Sequence, residues 1–344
     1  MTKSKAVLAG CGAMAKGWLR ALRQTSALAD RIEVVGLVDI DENVARERAR
    51  EFEIAPLIGT DLATVLKATK ADFLFDVVPP SARKATVLTG LSLGCHVLSE
   101  KPMATSIEDA RELIAAAERA ARIHAIVQNR RFISGVRRIR AFLESGVLGE
   151  LTGFHCDFFL APHFGGFREQ MEHPLLLDMA IHTFDAARFM ADKVPLAVYA
   201  QEANPKGSWY AHGAAANAIF EFSDGVIFTY RGSWCAEGAP TSWEAAWRFI
   251  GTRGSLLWDG AERFEARVVA SEGKFLNDLK IVSVPEEPAA ELTHGHASVI
   301  AEFLAAVNEG RRPETDGTDN VRSLAMVFAA IESAAARARV EISQ

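Results

Sequence analysis

The sequence is poor in cysteine, in basic runs and in long apolar stretches, and each shortage argues against a class of protein. Its four cysteines, Cys11, Cys95, Cys156 and Cys235, stand at no paired zinc or redox spacing. A disulfide framework has no support, and reduced, mostly buried thiols are expected. The 38 Lys and Arg against 44 Asp and Glu give a formal net charge of -6, with no basic run to neutralise a phosphate backbone. Nucleic acid is not an expected partner. No later apolar run approaches the roughly 20 residues that cross a bilayer. The start, Met1 to Ala15, imitates a signal peptide, with Lys3 and Lys5 ahead of an apolar run that ends in small residues. Its two glycines, with Lys16 and Arg20 beyond, fit a strand entering a glycine turn better, so a cytoplasmic protein is expected. Internal repeats and low-complexity linkers are also missing.

What is present is enough apolar material for a sizeable core: 344 residues, 49% of them hydrophobic. That length predicts two domains. Through about residue 127, short apolar strands (Ala6–Ala9, Val34–Val38, Phe73–Val77, His96–Leu98, Ala125–Val127) alternate with amphipathic helical stretches. This alternation predicts a doubly wound parallel sheet with helices on both faces, an α/β domain over 1–127. Beyond it, after a helix over Ser134–Ser145, longer strands appear: Leu151–Leu160, Ala216–Phe222 and Val226–Trp234. Ser223-Asp224-Gly225 supplies turn chemistry between the last two, and a second hairpin is expected around Gly251–Gly254. Residues 128–344 therefore read as an α+β domain with a large, mostly antiparallel open sheet. Its closing helix, 320–337, is expected to pack back on the first domain.

Gly10-Cys11-Gly12-Ala13-Met14-Ala15 directly follows the first strand and opens a helix. Gly10 permits a tight turn, a side chain on Gly12 would obstruct a pyrophosphate, and Ala15 lets helix and strand pack closely. Ala13 and Met14 place N–H groups at a helix N-terminus, which favours anions. Asp39 ends the next strand, where its carboxylate accepts hydrogen bonds from ribose hydroxyls and repels a 2′-phosphate. NAD is therefore preferred over NADP, with Arg46 tempering the preference; a helix cap ahead of Glu42 is the competing role for Asp39. Glu100, Lys101 and Pro102 end the strand that starts near His96, and Asp178 and His182 lie four apart on a helix over Leu175–Met190. Imidazole accepts a hydroxyl proton near neutral pH, and lysine stabilises charge on a hydroxyl oxygen.

The ordered set Gly10-Cys11-Gly12, Asp39, Glu100-Lys101-Pro102 and Asp178-x-x-x-His182-x-x-Asp185 resembles the glucose–fructose oxidoreductase, inositol dehydrogenase and rhizopine catabolism family (Gfo/Idh/MocA) over nearly the whole chain. The resemblance implies a Rossmann domain with strand order 3-2-1-4-5-6, followed by a substrate domain whose open sheet often forms the oligomer contact. It implies catalytic Lys101, Asp178 and His182: His182 as general base, with Asp178 and Lys101 binding and polarising the substrate hydroxyl while hydride passes to nicotinamide. It further implies cofactor contacts from Pro79, Glu100, Lys101 and Arg130, a cis peptide before Pro102, a sugar, cyclitol or related polyol as substrate, and a homodimer or homotetramer. The chain departs from the family at Val78, Pro80 and Arg83, where threonine, asparagine and histidine are common. Arg130 is equally a contact residue or an exposed junction cation. His163 and Arg168, around Gly165-Gly166, are either substrate-binding residues or loop-surface charges. Trp234, Trp243, Trp247 and Trp258 are either sugar-stacking faces or buried sheet contacts. His294-Gly295-His296 lacks a third ligand at useful spacing, so no metal is expected and a helix-entry or substrate-edge role is read instead. Two alternatives stand beside a dehydrogenase: a glycosidase of the same fold that retains NAD, and a non-catalytic nucleotide-binding regulator.

Overall fold

The computed structural model describes residues 3–286 and 295–343; Met1, Thr2 and His294 lie outside the described residues. The chain divides into two compact units, Met1–Asn129 with Leu292–Val321, and Arg130–Glu291 with Arg322–Gln344.

In the first unit, six described strands form one parallel sheet: β1 (Ser4–Ala9), β2 (Ile32–Val38), β3 (Leu57–Gly59), β4 (Phe73–Asp76), β5 (His96–Ser99) and β6 (His124–Ile126). Their order is β3-β2-β1-β4-β5-β6. The strands are continuous apolar runs because helices cover both faces: Ala6 to Ala9 and Phe73 to Phe75 are all buried. β1 lies between β2 and β4, so the chain reverses its winding there and leaves a crevice beyond the carboxyl ends of β1 and β4. The unexpected strand, β3, is three residues at the sheet edge with no buried residue, so it carries no apolar signal. The later helix Gly295–Glu309 also belongs to this unit and packs Phe303 edge-on against Phe73 at 5.7 Å.

The second unit holds nine described strands: β7 (Leu151–Phe159), β8 (Pro195–Ala203), β9 (Ala215–Phe222), β10 (Ile227–Ser233), β11 (Ala246–Gly251), β12 (Gly254–Trp258), β13 (Phe264–Ser271), β14 (Asp278–Val282) and β15 (Val340–Glu341). They run in the order β14-β13-β12-β11-β7-β10-β9-β8-β15. Among them β7 and β10 pair in parallel, and the other neighbours are antiparallel. Both expected hairpins form, β9 to β10 through Asp224 and Gly225 at positive φ, and β11 to β12 through Thr252-Arg253. Alternation sends Phe154, Phe220, Phe228 and Phe249 to one face, where Phe154 stacks on Phe228 at 4.6 Å and helix Ile181–Ala191 inserts Phe184 against Phe220 at 4.8 Å. The other face carries exposed Leu196, Tyr199, Ile219 and Ile227, interleaved with the ion pairs Arg231–Asp157 and Arg339–Glu221. Among the described residues no helix is long and apolar enough to cross a membrane.

Candidate active site

Gly10 leaves β1 at φ +91°, and a Cβ there would lie 2.6 Å from the backbone carbon and oxygen of Val77. Glycine is required by both conformation and space. Gly12 differs. Its φ of -65° suits any residue, yet a Cβ would meet nothing within 4 Å, so the space above it is open. Gly12 caps helix Ala13–Gln24 with no side-chain hydrogen bond, and Pro79 caps helix Pro80–Ser92 in the same way. By contrast, Asp41, Asp61 and Ser106 each accept an N–H at the start of their helices. The two helices that begin beyond β1 and β4 thus present first-turn N–H groups that no capping side chain takes, with Ala13 and a 43%-exposed Met14 in the first turn of one. An open cradle above a helix N-terminus fits a dinucleotide pyrophosphate.

Asp39 accepts N–H bonds from Cys11 at 2.7 Å and Asp41 at 3.1 Å. It is not the helix cap; Asp41 has that role, accepting from Asn43 at 2.9 Å. The partly exposed Asp39 carboxylate therefore braces the glycine turn and still has acceptor capacity for ribose hydroxyls. Arg46, the nearby cation, is bound to Glu42.

Lys101 follows β5, and its peptide bond to Pro102 is cis. Glu100 before it is buried, its Oε1 accepting from Trp18 Nε1 at 2.8 Å and meeting His296 Nε2 at 2.7 Å. Burial alone would raise its pKa, but the bonds from His296 and Trp18 and the Lys101 charge hold it below the usual carboxylate value. His296 is thus a helix-entry residue that anchors Glu100. On the same sheet edge, Asp76 at the end of β4 is fully buried and pairs with Arg83 at 2.9 Å. Sequence reasoning marked Arg83 as a departure from the family but not this pairing, which depends on a fold contact between residues seven apart.

In the second unit the helix expected over Leu175–Met190 is not uniform. Leu175–Ala180 is a π-helical turn and Ile181–Ala191 is α-helical, so Asp178 and His182 lie on either side of the change. Such single π turns are wider than an α turn and recur at functional sites. Asp178 accepts from Arg168 Nε at 2.9 Å, while the Arg168 guanidinium lies over Phe164 and Phe167. Asp185, one turn beyond His182, is buried and accepts two parallel bonds from Arg131, at 2.7 and 2.6 Å, and one from Ser323 at 2.7 Å. It anchors the helix. Arg130 is not an exposed cation: it is mostly buried and bound to Glu244 at 2.8 Å and to the carbonyl of Trp243. His163 stacks on Trp209 at 3.7 Å and meets Glu237 at 3.1 Å, in an exposed position. Trp234, Trp247 and Trp258 are core residues; Trp243 is 47% exposed.

The arrangement matches known proteins at both ends of the chain. The family model described as an oxidoreductase family with an NAD-binding Rossmann fold, Gfo/Idh/MocA, matches residues 4–128, and the Gfo/Idh/MocA C-terminal domain matches residues 136–257. A D-apiose dehydrogenase of Paraburkholderia graminis is 27% identical, covering 98% of this chain and 89% of its own. A 1,5-anhydro-D-fructose reductase of Ensifer adhaerens is 26% identical, covering 97% of each. Among solved structures, an oxidoreductase from Agrobacterium radiobacter in complex with NAD+, L-tartaric acid and magnesium superposes with a TM-score of 0.86 at 21% identity, over 99% of each chain. With the open glycine turn and the strand-end Glu-Lys-Pro on one parallel sheet, these matches establish that the chain belongs to the Gfo/Idh/MocA family and is an NAD-binding oxidoreductase.

Proposed function

We propose that the protein moves hydride between NAD and a secondary hydroxyl or ketone of a sugar, cyclitol or related polyol, with Lys101, Asp178 and His182 as its catalytic residues. The observation that carries this reading lies in the first unit: Gly12 leaves an open helix N-terminus beside the Asp39 carboxylate, and the same sheet edge presents Lys101. Gly10, Gly12, Ala13, Met14, Asp39 and Pro79 would hold NAD, which when bound supplies the hydride acceptor or donor. NAD is favoured over NADP because a 2′-phosphate would meet the Asp39 charge with Arg46 already bound to Glu42. Glu100 has one oxygen engaged by Trp18 and His296, so its contribution is to hold the backbone around Lys101. Arg130, engaged by Glu244 and Trp243, supports the site in the same indirect way.

Lys101 donates to the substrate oxygen and stabilises the negative charge that grows as its proton leaves. His182 accepts that proton at a ring nitrogen, and Asp178 orients the hydroxyl. Arg168 and His163 line the substrate-selecting loop. The relatives named for D-apiose and 1,5-anhydro-D-fructose support a sugar or sugar-derived substrate. The exposed apolar residues of the second sheet, Leu196, Tyr199, Ile219 and Ile227, support a homodimer or homotetramer, and the free cysteines support a cytoplasmic setting.

The test is a nicotinamide absorbance assay of the purified protein against aldoses, ketoses, cyclitols and sugar acids, with NAD and NADP in separate arms. Reduction of NAD by a panel member, lost by about 10²–10⁴-fold in Lys101→Met and in His182→Ala, is expected. Wild-type turnover in both variants would remove these residues from the mechanism.

A further inference from the structure

Arg83 lies in the first turn of helix Pro80–Ser92 yet is only 1% exposed. Burying a guanidinium costs several kcal/mol unless its N–H groups are matched, and here they are matched in three directions. Nε donates to Asp76 Oδ2 at 2.9 Å, Nη2 to the carbonyl of Val78 at 2.8 Å, and Nη1 to the carbonyl of Pro102. Asp76 is itself fixed: it ends β4 in register with Ser99 of β5, and its Oδ1 accepts from the Val78 N–H at 3.2 Å. The guanidinium therefore ties the end of β4 and its following turn to the residue immediately after Lys101. On the other side of Lys101, Glu100 is fixed by Trp18 and His296.

We propose that Arg83, with Asp76 as its buried counter-ion, is a positioning residue that sets the backbone carrying Lys101. The inference rests on the catalytic reading of Lys101. A planar guanidinium reaches three acceptors at fixed angles, which an ammonium cannot do. Lysine at 83 would keep a cation beside Asp76 while giving up the simultaneous bond to Pro102. Misplacing a reacting group by about 1 Å costs on the order of 10²-fold in rate.

The experiment compares wild type, Arg83→Lys and Lys101→Met, together with the neutral pair Asp76→Asn/Arg83→Gln, which removes both buried charges and serves where the lysine variant does not fold. Each is measured for thermal unfolding, NAD affinity by tryptophan fluorescence, and kcat and KM with the panel sugar that the wild type oxidises fastest. In parallel, lysines are reductively methylated with ¹³C-formaldehyde, and the Lys101 resonance, identified by its absence in Lys101→Met, is titrated with pH. The expected result is a 10–100-fold fall in kcat for Arg83→Lys with NAD affinity within about twofold of wild type, and a displaced Lys101 resonance. A folded Arg83→Lys or neutral-pair protein with wild-type kcat and an unmoved Lys101 resonance would overturn the proposal and leave Arg83 as a brace of the fold alone. Should Lys101→Met turn over normally, the catalytic reading of Lys101 falls, and the resonance still decides whether Arg83 places that side chain.

Discussion

Arg168 Nε donates to Asp178 Oδ2 at 2.9 Å, so the carboxylate proposed to meet the substrate hydroxyl is oriented by a residue of the short helix Phe167–Gln170, which follows the Gly165-Gly166 pair. Both side chains keep some solvent exposure, 33% and 17%, which weakens the pair by screening. Replacing Arg168 by Gln is expected to lower kcat/KM by about 5–30-fold, the equivalent of about 1–2 kcal/mol for a partly screened, charge-assisted bond. Steady-state kinetics with the best panel sugar checks it; an unchanged kcat/KM would show that the pair plays no part in turnover.

The two glycines of the first turn should respond in opposite ways. Gly10→Ala puts a Cβ at φ +91° and 2.6 Å from the Val77 backbone, so it should destabilise the fold by a few kcal/mol, visible as a lower Tm. Gly12→Ala enters open space at φ -65°, so Tm should hold while NAD binding weakens at least tenfold. Retained NAD affinity in a stable Gly12→Ala protein would mean that the pyrophosphate lies elsewhere.

Asp39→Ala removes the acceptor proposed for the adenosine ribose and is expected to weaken NAD by about 1–3 kcal/mol, with less effect on NADP. Because Asp39 also accepts the Cys11 N–H, a modest loss of Tm should accompany it. Titrating both cofactors into the variant settles the point, since equal weakening would undo the basis for NAD preference.

His124 is 2% exposed with Nε2 3.0 Å from Ser99 Oγ. Burial, reinforced by the charge on Arg83, brings its pKa down from 6.5 to about 3. The unfolded chain therefore takes up the proton first. The stability this ring contributes is complete above about pH 6.5 and is lost as pH falls toward about 3, by about 1.4 kcal/mol per unit. His96, lowered to about 4 by burial and then by Arg122, acts in the same direction. Urea unfolding of His124→Gln across that range should show a slope shallower by about one proton; an identical slope would mean that His124 is charged in the native protein.

Arg131 is 4% exposed and holds Asp185 through two bonds on the helix that carries His182. Arg131→Met leaves a buried carboxylate without that cation, and denaturant unfolding should report a loss of about 3–5 kcal/mol. A loss below about 1 kcal/mol would assign the anchoring of Asp185 to Ser323 instead.

The strands of the first sheet other than β3 are readable because each is a short apolar run bounded by glycine or polar residues, and a parallel sheet buried on both faces demands that pattern. β3 escaped because an edge strand of three residues, none buried, has no such demand. The glycine turn, Asp39 and the Glu-Lys-Pro element were legible as local spacing. What local spacing could not show is that Glu100 Oε1 meets Trp18 and also His296, 196 residues away, a pairing no local pattern encodes. The pattern predicts one helix over Leu175–Met190 carrying Asp178 and His182, and the π turn that holds Asp178 leaves no mark in hydrophobic spacing.

By itself the sequence determined the alternation that makes the Rossmann sheet, the turn that only glycine can close at position 10, and the residue types able to bind NAD and move a proton. These follow from local sterics and side-chain chemistry, which act over a few residues. Tertiary structure alone decided that Asp41 rather than Asp39 caps its helix, that Arg168 meets Asp178, and that Arg83 reaches both Asp76 and the carbonyl after Lys101. Each of those depends on where the folded backbone places a donor and an acceptor within about 3 Å of each other, and on burial that makes an unmatched charge too costly to leave.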